Sequence, residues 1–126
     1  MLQFLLDEHI SPAVARGAIA KYPGIKITTL AAWRGGSFLG TSDAVFLSQA
    51  AKDGLTLVTY DQRTIRPLLK VWLESGVHHG GVVFVDQRTL SPRDFGGLIR
   101  SLGQLWKAQR RLVWTNRVVF LRRESA

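Results

Sequence analysis

Three short, largely apolar runs in this chain each end in a carboxylate: Phe4-Leu5-Leu6 in Asp7-Glu8-His9, Leu55 to Tyr60 in Asp61, and Val82 to Val85 in Asp86; a fourth acid, Asp43, opens a helical stretch. Carboxylates beside an apolar sheet are costly unless a cation, a hydrogen-bond network or protonation compensates them. Convergent carboxylates from separate elements are the hard oxygen donors of an octahedral magnesium or manganese site that also holds phosphate oxygens. The structural alternative is equally concrete. Asp7 and Glu8 can be solvated loop residues, and Asp43 suits the first turn of a helix through the dipole alone. Asp86 is a further candidate of the same kind.

The elements that would position these acids follow from hydrophobic pattern. Apolar, β-branched runs bounded by polar residues read as buried strands at Phe4–Leu6, Ile25–Leu30, Leu55–Tyr60 and Val82–Val85. Ser11-Pro12 reads as a cap and first helical residue, with Val14, Ala15, Ala18 and Ile19 as the apolar face and Tyr22-Pro23-Gly24 as the stop. Thr41 or Ser42 caps a second helix that ends at Asp53-Gly54. A third helix is expected over Thr64–Ser75, broken near its start by Arg66-Pro67, and a fourth after Ser91-Pro92, running through Leu98 to Arg111. Leu112 to Leu121 is expected to form a hairpin turning at Thr115-Asn116 on the sheet edge. Alternation of strands and helices predicts one α/β domain over residues 1–126. If its strands are parallel and its crossovers right-handed, Asp7 and Asp61 leave the same edge and Asp43 overhangs it.

Two other stretches carry polar chemistry. Trp33-Arg34-Gly35-Gly36-Ser37-Phe38 is a glycine-rich loop whose Arg34 could pair phosphate and whose aromatics could stack on bases; the alternative is that Trp33 and Phe38 tuck under the loop as core. His78 and His79 are adjacent but lack a third ligand at useful spacing, so they read as loop residues.

Composition bounds the function classes. The net charge is +8, and Arg100, Lys107, Arg110, Arg111, Arg117, Arg122 and Arg123 are answered locally only by Glu124. Such a patch favours a polyanion or an acidic protein partner, or is simply a solvated face. The absence of cysteine removes disulfides, thiolate zinc sites and cysteine nucleophiles. No apolar run approaches a membrane span and no signal-peptide pattern opens the chain, so a cytoplasmic protein without membrane contact is expected. Four tryptophans and a basic, partly apolar C-terminal region make a homodimer an open expectation.

Three motifs together resemble the PIN-like nuclease families, in particular the small stand-alone prokaryotic PIN-like proteins found beside antitoxin-like partners. They are Phe4-Leu5-Leu6-Asp7-Glu8-His9-Ile10-Ser11-Pro12, Gly40-Thr41-Ser42-Asp43, and Leu57-Val58-Thr59-Tyr60-Asp61. The resemblance implies a three-layer α/β/α domain with a mostly parallel central sheet. It implies Asp7, Asp43 and Asp61 as catalytic metal ligands, Glu8 as a further ligand, Thr59 as a hydroxyl orienting the carboxylates, and Mg2+ or Mn2+ as cofactor. The activity implied is hydrolysis of RNA by the toxin of a toxin–antitoxin pair, with an antitoxin as protein partner. A departure follows Asp61: Gln62, Arg63 and Thr64 stand where typical members carry another acid. Arg63 could clamp phosphate instead. The alternative is a catalytically weakened PIN-like module that binds nucleic acid or protein. A receiver-like domain ranks last, since no lysine stands at a later strand end.

Overall fold

The computed structural model describes residues 1–123. The strands are β1 (Phe4–Leu6), β2 (Ile27–Thr29), β3 (Thr56–Thr59), β4 (Val82–Val85) and β5 (Val118–Leu121). The helices are α1 (Pro12–Lys21), α2 (Asp43–Lys52), α3 (Gln62–Ser75) and α4 (Phe95–Gln109). All five strands pair in parallel in the order β2-β1-β3-β4-β5. This is the three-layer α/β/α arrangement expected from the sequence.

The period of two in the strands divides the core. Phe4, Leu6, Val58, Val83 and Val85 face α1 and α4, whereas Leu5, Leu57, Val82 and Phe84 face α2 and α3. Because helices cover both faces, β1 and β4 read as continuous apolar runs, and β3, Thr56-Leu57-Val58-Thr59, is buried along its whole length. The α1–α4 contact is unusually close. A Cβ on Gly103 would enter the Tyr22 ring, and one on Gly17 would meet Ile99.

One crossover differs in hand from the rest. The α1 crossover runs from β1 back to β2 over one face, and α2 and α3 carry the chain the other way over the opposite face, so these three share a hand. The fourth helix advances in the direction of α2 and α3 but over the α1 face. Its crossover therefore has the opposite hand, where about 98% of such units keep the right-handed sense. As a result no helix covers the α3-side face of β5, and Val118 and Phe120 remain exposed there.

Three expectations are corrected. Residues 112–121 form no hairpin: Thr115-Asn116 do turn, but β5 pairs alone and in parallel with β4. The segment before it is tied to the amino edge of the sheet instead, by Leu2 N donating to Arg110 O and Asn116 N to His79 O. The third helix begins at Gln62, because the Asp61 carboxylate caps it by accepting from Thr64 N, and it continues through Pro67. The fourth is capped by Asp94, which accepts from Gly97 N, while Ser91 makes a preceding turn by accepting from Arg93 N.

Candidate functional site

Parallel strands place Asp7, Asp61 and Asp86 at one edge of the sheet, within two residues of the ends of β1, β3 and β4. Asp43 joins them because α2 runs back down from that edge and begins with it, Ser42 capping the helix. The loops after β1 and β3 part toward opposite faces and in opposite directions along the sheet, which is where open α/β folds form a crevice.

Two threonine hydroxyls connect three of the carboxylates. Thr59, fully buried at the end of β3, donates to Asp7 Oδ2 at 2.7 Å and accepts from Asp61 N at 3.0 Å. Thr64, in the first turn of α3, places its hydroxyl 3.1 Å from Asp43 Oδ2 and against Asp61 Oδ2. The chain of contacts thus runs Asp7, Thr59, Asp61, Thr64, Asp43. Thr64 carries one hydroxyl proton and so serves one carboxylate as donor, leaving the other facing a lone pair. The Thr64 hydroxyl is the main cause that holds the Asp61 carboxyl below the usual carboxylate range, with its burial opposing. Backbone N–H groups of Thr64 and Arg63 and the nearby charge of His9 assist.

Each remaining candidate has a definite place. Glu8 is exposed beside Asp7, its N–H donating to Asp7 Oδ1 at 2.7 Å. Asp86 turns its carboxylate back on its own loop, accepting from Arg88 N at 3.0 Å and from the Thr89 hydroxyl. Arg63 lies exposed in the first turn of α3, close to the carboxylates. Arg34 does not join them. It forms a two-pronged pair with Asp53, at 2.8 and 2.9 Å, at the far end of α2, about 15 Å from Asp43 by helix rise. The Arg34 guanidinium is the main cause that holds Asp53 far below its usual range, against some burial, and Gln49 Nε2 and Trp33 Nε1 assist by donating to the same carboxylate. Trp33 and Phe38 stack at 4.7 Å within the core under the loop.

The basic residues of the C-terminal third do not form one patch. Lys107, in the last turn of α4, and Arg110, Arg111 and Arg117, between α4 and β5, lie at the amino edge, opposite the carboxylates. Lys107 sits over Tyr22, Arg110 over Trp106 and Arg117 over Trp114. Arg122 and Arg123 follow β5 at the carboxyl edge, where Arg123 pairs with Asp94 and donates to Thr89 O. Glu124 lies outside the described residues. His79 is buried in the loop before β4, its Nδ1 accepting from Gly81 N, a structural use consistent with the loop reading.

Thr64 is the member of the site that residue type did not announce. A threonine in the first turn of a helix is ordinary in a sequence, and only the approach of α2 and α3 makes it a bridge.

The donor chemistry of Asp7, Asp43 and Asp61 suits a hard divalent cation. As the side chains stand, no three His, Asp or Glu among the described residues are grouped closely enough to hold a metal. The spacing is that of a hydrogen-bonded chain in which the Thr64 hydroxyl contacts both Asp43 and Asp61. No helix among the described residues is long and apolar enough to cross a membrane. No protein-family model, curated protein or solved structure matches the chain.

Proposed function

We propose that this chain is a PIN-like, Mg2+- or Mn2+-dependent endoribonuclease, acting as the toxin of a toxin–antitoxin pair. The observation that carries the reading is the unequal sharing of Thr64: Asp43 and Asp61 converge on one hydroxyl proton, a deficit of positive charge that a divalent cation or a proton relieves. Asp7, Asp43 and Asp61 would hold the ion, with Glu8 within the same loop. When bound, such an ion supplies Lewis acidity, activating water and offsetting phosphate charge. Thr59 fixes the orientation of Asp7 and Asp61 together, since its hydroxyl is bonded to both residues. Arg63, at the start of α3, is placed to take a phosphate oxygen. The antitoxin partner comes from the family resemblance alone.

A second reading keeps the fold and the crevice but not the turnover: a PIN-like module that binds nucleic acid or protein. It is favoured by Gln62-Arg63-Thr64 after Asp61, which lowers the negative charge of the site and so weakens binding of a second metal.

Calorimetric titration with manganese and magnesium separates the two. Nuclease chemistry predicts binding by the parent chain that disappears in both folded Asp7→Asn and Asp61→Asn variants. No binding at millimolar metal refutes the nuclease and favours the binding module.

A further inference from the structure

A second crevice opens beside the carboxylates. The loop after β3 leads to α3 on one face and the loop after β4 leads toward α4 on the other, a divergence created by the opposite hand of the α4 crossover. Between them lies an open hollow of about 460 Å³ whose lining includes Gln62, Arg63, Gln87 and Arg88 above Tyr60 and Val85. Asp61 and Asp86 complete it, and Asp61 also belongs to the hydrogen-bonded chain of acids. The two hollows are therefore adjacent.

Its polar groups are unevenly engaged. Asp86 is satisfied by Arg88 N and Thr89, and Asp61 by Thr64. Gln62 accepts a long contact from Arg66, leaving its NH2 to donate. The guanidinium groups of Arg63 and Arg88 take part in neither of the ion pairs found among the described residues, Arg34–Asp53 and Arg123–Asp94. Two arginines against two carboxylates make the hollow electrically balanced, so it is not a general attractor of anions. A ligand gains there by matching hydrogen bonds: phosphate oxygens to planar guanidinium forks, and both donors and acceptors to the amides.

The geometry points to this crevice as the seat of a nucleotide of single-stranded RNA next to the one held at the carboxylates. Arg63 and Arg88 take its phosphate, and Gln62 and Gln87 meet its base edge. The identity of the ligand as RNA rests on the nuclease reading; the crevice itself does not depend on metal.

The test is binding of a fluorescein-labelled, mixed-sequence RNA octamer in EDTA, followed by anisotropy. Arg88→Gln is compared with Arg111→Gln, which removes the same charge from an exposed residue at the opposite edge. The expected result is a loss of about tenfold in affinity for Arg88→Gln and less than about twofold for Arg111→Gln. Backbone amide shifts on RNA addition are expected at Gln62, Arg63, Gln87 and Arg88. Equal losses in the two variants, absence of those shifts, or no octamer binding by the parent at low ionic strength overturns the proposal. Metal titration of the same Arg88→Gln protein keeps the two claims apart. A chain that binds no metal but shows the Arg88 effect loses the nuclease reading and retains the crevice.

Discussion

Replacing Thr59 by valine tests the link between β1 and β3 that the candidate site depends on. The substitution is nearly isosteric at a fully buried position, so its cost is that of the hydroxyl rather than of a cavity. Two bonds are lost. The bond to Asp7 Oδ2, at 2.7 Å, involves a carboxylate and is worth about 1.5–3 kcal/mol. The Asp61 N–H, at 3.0 Å from the hydroxyl, loses its acceptor at a cost of about 1–3 kcal/mol. Asp7 is half-buried, so water restores part of the first loss, and valine gains a few tenths from strand preference. The expected net destabilisation is about 2–4 kcal/mol, within the roughly 5–15 kcal/mol of a small domain. Urea unfolding reads it as a lower midpoint at unchanged slope. Thr59→Ser keeps the hydroxyl and loses one buried methyl, for about 1 kcal/mol. A Thr59→Val cost below about 0.5 kcal/mol, the range of an inert surface change, would refute the claim that this hydroxyl ties the strand ends together.

Removing the Thr64 hydroxyl with valine should raise the Asp61 pKa toward the ordinary carboxylate range, because that hydroxyl is the main group holding it down; carboxyl 13C shifts against pH report this, and an unchanged titration contradicts it. Gly103→Ala should destabilise by about 1–2 kcal/mol, the overpacking against Tyr22 exceeding the gain in helix preference. Gly96→Ala in the same helix meets only the flexible end of Arg100, so thermal melts should show the opposite sign. Burial, with a smaller contribution from His78, lowers the pKa of His79, so between its folded value and the ordinary 6.5 the unfolded chain binds more protons. Stability is therefore full above that range and falls as pH drops from 7 toward 5. Urea midpoints at pH 7.5 and 5.5 should differ in the parent more than in His79→Gln.

The parts of this fold that were legible in the sequence are those decided by one element at a time. Phe4–Leu6 and Val82–Val85 announce themselves because a parallel sheet covered on both faces requires unbroken apolar runs. Asp7 and Asp61 are conspicuous because a carboxylate cannot continue such a run without compensation. The parts that were not legible depend on where the two ends of a helix go. Lys107 and Arg122 look like members of one basic cluster, yet the chain between them leaves α4 at the amino edge and rises along β5 to the other. Arg34 and Asp43 are close in sequence, yet Arg34 pairs with the opposite end of the helix that Asp43 begins.

The hand of the α4 crossover belongs to the same class, and it has the widest consequences. Hydrophobic period fixes that Leu98, Leu102 and Leu105 need a face of the sheet, but either face satisfies the period equally. Had α4 followed α3 onto the same face, Val118 and Phe120 would be covered, and the loops after β3 and β4 would leave together instead of parting. Parting is what opens the hollow between Arg63 and Arg88. The candidate chemistry at Asp7, Asp43 and Asp61 is thus a property of two strand ends and one helix start that the sequence displays. The crevice beside it is a property of connectivity, which residue pattern alone does not encode.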